Sequence, residues 1–259
     1  MLGNGTFHGM YNPSAVWAND SRILFDGVND FFDFNDQTDG TFHNIVGNNF
    51  VNAFSVSFWF QHNGAVGMGS QQTFFRIQIG SRGSDIVAKY IPTGSPGTGI
   101  YFTRADQGAP GTIDLTGFAG LSHSDFQASH SHYVLTMTKS EITMYKDGSG
   151  LAVTPGGSGG SDWESNDPLG YNMRFGATGV ISLLNGYMNN IALYNRVLTG
   201  SEVTDIYNNG EPKNELRNPG GDPVVYYAAN EKSFKSEIRH TTTSNHTATL
   251  EGPIIVPNV

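Results

Sequence analysis

The sequence has no cysteine and few charged residues, and both shortages narrow what the protein can be. Without cysteine it forms no disulfide bonds and no zinc–thiolate sites, although a cysteine-free chain folds in reducing and oxidising surroundings alike. Basic residues are the scarcer charges: 14 Lys and Arg stand against 23 Asp and Glu, and the formal net charge is -9. This acidic balance argues against contact along a phosphate backbone, so we expect no nucleic-acid partner.

Long apolar runs are also missing. No segment approaches the roughly 20 apolar residues of a membrane-spanning helix, so we expect no membrane partner. The N-terminal stretch MLGNGTFHGMYNPSAVW has neither a basic segment before an apolar run nor a small-residue cleavage site. We therefore expect no secretion signal.

Glycine and aromatic residues are abundant, with 33 glycines and 12% aromatics, a balance typical of many strands joined by polar turns. The segment 53–61, AFSVSFWFQ, alternates strictly and predicts a core strand with two distinct faces. One face carries Phe54, Val56, Phe58 and Phe60, and the other carries Ser55, Ser57 and Trp59.

Further extended segments follow at the spacing typical of a sandwich or jelly roll. They lie at 74–79, 86–91, 99–103, 132–138 and 142–146, between Gly-, Ser- and Pro-rich turns. Near the N-terminus, the run RILFDGVNDFFDF places two apolar segments around Asp26 and Gly27. Because Asp-Gly is a common two-residue hairpin turn, this run predicts a β-hairpin.

The stretch 186–210, GYMNNIALYNRVLTGSEVTDIYNNG, predicts a strand that is covered on both faces. Strict alternation puts Met188, Ala192 and Tyr194 on one side and Tyr187, Ile191 and Leu193 on the other.

A short helix is predicted directly after this strand. Thr199 is the expected N-cap because Glu202 follows three residues later, as in a capping box. Leu198 and Val203 stand where a hydrophobic staple forms across a helix start. The expected end of the helix lies at Asn208, Asn209 and Gly210, residues that tolerate the left-handed conformation.

Four motifs carry a family resemblance: LFDGVNDFFDF from Leu24, FSVSFWF from Phe54, HYVLTMTKSEITMYKDG from His132, and the stretch from Gly186. In this order the chain resembles the laminin-G-like and pentraxin-like jelly rolls of the concanavalin A-like superfamily. The resemblance implies an all-β fold, a sandwich of two antiparallel sheets with one short helix near 200–208. We expect a single domain over 1–259, with an N-terminal arm at 1–20 and a C-terminal extension at 211–259.

Relatives of this kind commonly carry an acidic pair where this chain has Asn189 and Asn190. The loss of the acidic pair weakens any calcium or salt-bridge role that the resemblance would imply at that place. We expect the stretch to close the core and to hold no reaction site.

Two aromatic residues are candidate glycan contacts. The glycine-rich segment 155–170, PGGSGGSDWESNDPLG, is predicted to be a long loop that contains Trp163, and Tyr171 follows it. Amphipathic rings in a loop suit the faces of sugars. Aromatic residues also anchor protein interfaces, so contact with a neighbouring subunit is an equal alternative.

Acidic side chains form a candidate calcium site. Asp33, Asp36 and Asp39 belong to a run of aspartates that begins at Asp26 and offers the oxygen ligands that calcium prefers. Capping of turns by these side chains is the favoured alternative, since Thr38 stands where an EF-hand loop requires glycine. We expect no required cofactor, with calcium as the candidate ion.

Histidines form a second candidate metal site. His130 and His132 alternate across Ser131 and would share one face of a strand, with His123 as a third candidate ligand. Surface or strand-edge histidines are the favoured alternative, because two imidazoles alone make a weak site.

Catalytic signatures are absent. No strand carries the Glu-x-Asp-x-x-Glu pattern of laminarinase-like relatives, and Asp162, Glu164 and Asp167 lie in the glycine-rich loop, where acids are not held rigidly. No G-x-S-x-G nucleophile elbow stands between a strand and a helix. We therefore expect a protein that is not an enzyme.

The C-terminal passages ELRNPGGDPVVYYAANEKSF and TATLEG resemble an extension seen in related domains of bacteriophage proteins. This resemblance implies a non-catalytic virion surface protein, a head decoration or fibre component with a lectin-like fold. The expected partners are other virion proteins or a second copy, and cell-surface glycan. We expect synthesis in the host cytoplasm and a place on the virion surface. The alternatives are a free carbohydrate-binding lectin and, third, a glycoside hydrolase.

Overall fold

The computed structural model describes residues 21–28, 30–34, 53–64, 70–79, 84–93, 97–106, 112–157, 171–178, 182–211, 223–227, 249–251 and 254–257. Within these residues the chain forms two antiparallel sheets, each of eight strands. Apolar side chains from both sheets form one shared core cluster. The predicted all-β sandwich is confirmed.

The first sheet contains the core strand that the alternating segment 53–61 predicts. In spatial order it consists of β10 (Ser149–Gly150), β9 (Ile142–Lys146), β8 (Ser131–Thr138), β3 (Ala53–His62), β13 (Asn185–Tyr194), β1 (Ser21–Asp26) and β16 (Ile254–Pro257), and β14 (Val225–Tyr227) also pairs with β13.

The second sheet takes most of its strands from the middle of the chain. Its order is β11 (Thr154–Gly156), β7 (Thr112–Gly120), β6 (Gly99–Asp106), β5 (Ser84–Ile91), β4 (Gln72–Ile79), β12 (Tyr171–Phe175), β2 (Phe31–Phe34) and β15 (Thr249–Glu251).

The apolar face of β3 fills the space between the sheets, as the alternation predicts. Phe58 and Phe60 lie 5.5 and 5.2 Å, centroid to centroid, from the ring of Phe74 on the opposite sheet. Phe54 contacts Phe102 of β6 edge to face at 6.1 Å. Such aromatic pairs add to the free energy gained from area burial alone. This phenylalanine layer joins the two sheets.

The predicted hairpin at Asp26 and Gly27 is wrong. β1 pairs with β13 and β16 in the first sheet, whereas β2 pairs with β12 and β15 in the second. The turn residues bend the chain as expected: Gly27 has a φ of 79° and Asp26 Oδ1 accepts a hydrogen bond from Val28 N at 2.7 Å. The bend carries the chain from one sheet to the other, because each strand has better partners elsewhere than in its neighbour.

The predicted alternation of β13 is correct at its C-terminal end and wrong at Met188. Met188 lies in the intersheet core together with Ile191 and Leu193, whereas Ala192 packs in a separate cluster on the outer side. The register against β3 shifts between 189 and 192, and Asn190 has a φ of 47°. This β-bulge adds one residue and exchanges the faces of the strand on either side of it.

The described residues include the α-helices α1 (His123–Gln127) and α2 (Gly200–Tyr207). The predicted helix near 200–208 is confirmed as α2. Thr199 Oγ1 accepts from Glu202 N, and Thr199 N donates to Glu202 Oε2 at 2.8 Å. Asn208 ends the helix in the left-handed conformation.

The sequence interpretation did not include α1. Its start carries the same kind of signal as α2, since Ser122 N donates to Asp125 Oδ2 at 2.7 Å. None of the helices in the part of the chain that the structure describes is long and apolar enough to cross a membrane.

The described parts of the C-terminal extension pair with the sandwich. β14 pairs with β13, β15 with β2 and β16 with β1, so the extension adds strands to both sheets. Residues 1–20 lie outside the described residues. The division into one domain with two arms stays a prediction.

Candidate functional site

The aromatic and acidic residues singled out in the sequence are only partly described. Tyr171 is the first residue of β12, in register with Ile79, and Asp33 lies in β2, in register with Arg174. Trp163, Asp36 and Asp39 lie outside the described residues, as do Asp162, Glu164 and Asp167. The proposed glycan and calcium roles of these residues stay predictions.

The histidines are distributed differently from the expected set of three. His130 and His132 share one face, as predicted, and lie 5.6 and 5.2 Å from the ring of Trp59. His123 lies in α1 beside His62, at a ring separation of 5.2 Å, so its assignment to the first pair is wrong. Among the described residues, no group of three or more His, Cys, Asp or Glu side chains could hold a metal ion.

A serine and a histidine form a hydrogen bond in the first sheet without the setting that catalysis needs. Ser57 Oγ and His132 Nε2 are 2.8 Å apart, and both residues are buried. Burial lowers the pKa of His132 to about 3 and keeps the ring neutral. Asp147 accepts from the backbone N of His132 at 2.9 Å, and the ring Nδ1 has no partner within the described residues. The pair is a packing feature, since a catalytic base needs substrate access and an orienting acid.

Part of the outer face of the first sheet is apolar and lies under α2. Ser55 Oγ donates to Arg196 O and accepts from Leu198 N, each at 2.9 Å, and so holds the segment before the helix against the sheet. The buried cluster beneath the helix comprises Val134, Ala192, Tyr194, Leu198, Val203 and Ile206. This face is part of the folded core and offers no free ligand surface at these side chains.

The outer face of the second sheet has the opposite character. In β5, Ile86, Ala88 and Tyr90 are buried in the core, so Asp85, Val87 and Lys89 alternate to the outer face, where they are only partly buried. The same alternation in β6 sends Tyr101 and Thr103 outward. Neither described helix packs on this face, which therefore presents polar and aromatic side chains together.

An aromatic row crosses three strands of this face. Lys89 on β5 is in register with Tyr101 on β6, which is in register with Phe118 on β7. Lys89 Nζ lies 5.7 Å from the centre of the Tyr101 ring and 3.3 Å from Gln71 Oε1. Loss of solvent around Lys89 lowers its pKa. The row combines two adjacent aromatic side chains with one cation.

A fixed ion pair borders the aromatic row. Arg76 of β4 binds Asp85 of β5 through both carboxylate oxygens, with Nη2 at 2.9 Å from each and Nε at 3.1 Å from Oδ1. Burial raises the pKa of Asp85, and the hydrogen bonds from Arg76 offset only part of that effect. A forked pair of this kind holds donors and acceptors in a fixed orientation.

A second guanidinium lies next to this pair. Arg174 of β12 is directly opposite Arg76, and its Cζ lies 4.2 Å from the ring centre of Phe31. Like charges opposite each other on adjacent strands are destabilising, so acidic residues are needed nearby. Asp85 neutralises Arg76.

The arrangement combines two kinds of group that can contact a sugar. Aromatic rings provide flat apolar surface for the C–H face of a sugar ring, and forked or amide side chains orient its hydroxyl groups. The sequence interpretation predicted strands at 86–91 and 99–103 but did not single out their outward residues. Alternation alone could have separated the two faces of each strand, but the rows depend on the register between strands.

Comparison with known proteins agrees with this fold. A family model described as the concanavalin A-like lectin/glucanases superfamily matches residues 26–204. The structure is similar to a heptameric SAP-like pentraxin from Limulus polyphemus, at 10% identity and a TM-score of 0.54, over 93% of this chain and 96% of that one.

Two further solved structures have the same fold. One is a putative carbohydrate binding protein from Bacteroides ovatus, at 13% identity and a TM-score of 0.55, over 93% of this chain and 61% of that one. The other is the CBM40 of a Ruminococcus gnavus IT-sialidase bound to α2,6-sialyllactose, at 11% identity and a TM-score of 0.50, over 73% and 99%. No curated protein matches this chain. At these identities the likenesses concern the fold alone.

Proposed function

The chain belongs to the concanavalin A-like lectin/glucanases superfamily, and from that premise we propose that it is a non-catalytic carbohydrate-binding protein that uses the outer face of its second sheet. The observation that carries the proposal is the aromatic row Lys89–Tyr101–Phe118 beside the Arg76–Asp85 pair. One similar structure is a putative carbohydrate binding protein and another is bound to α2,6-sialyllactose, which favours a glycan over other ligands of this face.

The aromatic row and the ion pair determine the contacts that we expect with a bound sugar. Tyr101 supplies the central stacking ring, with Phe118 extending the apolar surface on the next strand. Arg76 and Asp85 are already oriented by each other, so they offer hydrogen bonds without further ordering cost. Thr103 and Thr116 lie in register on neighbouring strands and add hydroxyl groups beside the rings.

A glycan array followed by calorimetry tests this proposal. We expect at least one glycan class to bind, and we expect Tyr101→Ala to lower its affinity about tenfold or more, a loss of about 1.4 kcal/mol. Tyr187→Ala is the matched control, because Tyr187 is partly buried on the other sheet, under the Arg22 guanidinium. Equal effects of the two substitutions, or an array without hits, would count against the proposed face.

The same array distinguishes the loop predicted from the sequence. If Trp163→Ala or Tyr171→Ala abolishes binding while Tyr101→Ala does not, the glycan is held at the loop instead. A glycosidase would instead release sugar, and Glu164→Ala would abolish that release. We expect no release by the unmodified protein.

We also propose, from the resemblance of the C-terminal passages, that the protein is a virion surface component that assembles with itself or with other virion proteins. Each sheet has one edge strand from this extension: β16 in the first sheet and β15 in the second. Edge strands accept a further strand from another chain, which supports assembly through this region. Particle composition and solution mass are the tests: a monomer that is missing from purified particles would remove the virion proposal but leave the glycan proposal intact.

A further inference from the structure

One end of the sandwich brings two histidines together outside the glycan-binding face. His62 is the last residue of β3, and His123 is the first residue of α1. Their rings are 5.2 Å apart, centroid to centroid, with an angle of 63° between the planes. Phe126 of the same helix packs on Tyr90 and Phe74 and so holds α1 against this end of the core.

The His62 side chain is buried without the partners that an imidazole needs. The residue is 3% exposed, and neither Nδ1 nor Nε2 has a hydrogen-bond partner within the described structure. A neutral imidazole carries one N–H donor and one acceptor nitrogen, so burial of both without partners is costly. The two ring nitrogens of His62 therefore need a partner that is not one of the described side chains.

Buried polar residues of the strands β13 and β4 belong to the same end of the sandwich. His62 is in register with Gly186, and Asn63 N donates to Asn185 O at 3.4 Å. Asn185 N in turn donates to Gln72 Oε1 at 3.0 Å, while Asn185 Oδ1 is buried without a partner. Thr73, which follows Gln72, also has a buried and unpartnered hydroxyl. This end of the sandwich therefore has several buried polar groups in addition to the two imidazoles.

We propose that His62 and His123 bind one transition-metal ion of the zinc or nickel class. Metal–nitrogen bonds of about 2.0 to 2.1 Å from two rings at a tetrahedral angle place the ring centres about 5 Å apart, close to the observed spacing. Imidazole suits zinc, copper and nickel, whereas calcium and magnesium prefer sites made of oxygen alone.

The position of His123 favours entry of a metal ion. His123 is partly exposed, which leaves a path for the ion from solvent. The ion would join α1 to β3 and stabilise the folded form by mass action.

Calorimetry with Zn²⁺ and Ni²⁺ on the metal-stripped full chain tests this site. We expect one ion per chain and a rise in the midpoint of thermal unfolding with added metal. His62→Ala and His123→Ala should each weaken binding at least tenfold. His130→Ala is the matched control, since His130 belongs to the separate pair beside Trp59, and it should bind as the unmodified protein does.

His123→Asn guards against a folding artefact, because a partly exposed helix start tolerates substitution. This variant should unfold at the same temperature as the unmodified protein without metal and lose the metal-dependent rise. Absence of both heat and thermal shift, or binding that survives His62→Ala and His123→Ala, would overturn the site and leave buried water as the occupant. Neither result affects the glycan proposal, which concerns another face.

Discussion

Strands of both sheets alternate between inward and outward side chains, but the outer faces of the two sheets differ in what covers them. On the first sheet, Val134 and Ala192 are covered by Val203 and Ile206 of α2, so the face became a second core. On the second sheet, the corresponding positions carry charged, hydroxyl and aromatic side chains that stay partly exposed. A face covered by a helix contributes stability, while an uncovered polar face contributes recognition and little stability.

The largest expected difference between the faces concerns large-to-small substitutions. Ile206→Ala should lower the free energy of unfolding by about 2 to 5 kcal/mol, because Ile206 is buried on the sheet-facing side of α2 and its truncation leaves a cavity. Val87→Ala, on the outer face of the second sheet, should cost only about 0.5 kcal/mol. Urea unfolding measures both, and similar losses at the two positions would break the distinction.

We expect low pH to decrease the free energy of unfolding mainly through a buried histidine of the first sheet. Burial lowers the pKa of His132 from 6.5 to about 3, so the unfolded chain binds one more proton between these values. Its contribution is complete above pH 6.5 and falls by about 1.4 kcal/mol per pH unit as the pH decreases toward 3.

Substitution separates this histidine from the others. His132→Gln can still reach Ser57 but does not titrate, so stability should depend less steeply on pH between 6.5 and 4.5. Val87→Ala should keep the steepness of the unmodified protein. An unchanged slope for His132→Gln in urea unfolding at several pH values would show that His132 is not the group responsible.

A smaller effect is expected at the start of α2. Thr199→Ala removes the side-chain acceptor for Glu202 N and should cost about 1 kcal/mol. Thr199→Ser keeps the hydroxyl and should stay within a few tenths of the unmodified stability, at about 0.3 kcal/mol. Thermal unfolding of both variants is the measurement, and equal loss in the two would mean that the cap does not stabilise the covered face.

The smallest effect on stability is expected from the ion pair of the second sheet. Asp85→Asn should change the free energy of unfolding by less than about 1 kcal/mol, since both side chains are partly exposed. The same substitution should weaken glycan binding, because Arg76 loses its fixed orientation. Unfolding and calorimetry on one sample compare the two effects, and a loss of stability without a loss of affinity would assign the pair to folding alone.

Much of the fold was predictable where one short segment carries the whole signal. The inward face of β3 follows from the alternation of Phe54 to Phe60, and the start of α2 follows from Thr199 and Glu202. A capping signal of the same kind stands at Ser122 and Asp125, at the start of α1.

The candidate sites were less predictable because they join residues from distant parts of the chain. His123 meets His62, 61 positions earlier in the sequence, and does not meet His130. The aromatic row requires three strands in register, and a shift of one residue would turn each side chain to the core.

By itself the sequence determined the faces of β3 and the limits of α2, because these depend on interactions within a few residues, and the order of four motifs along the chain indicated the fold class. Only the tertiary structure decided that the chain changes sheets after Asp26, that a bulge at Asn190 turns Met188 inward, and that α2 covers one outer face. The physical reason is that sheet membership and register are set by pairing between strands far apart in the chain. The pairing that forms depends on how well the faces of whole strands are buried, and no single segment of sequence determines that burial.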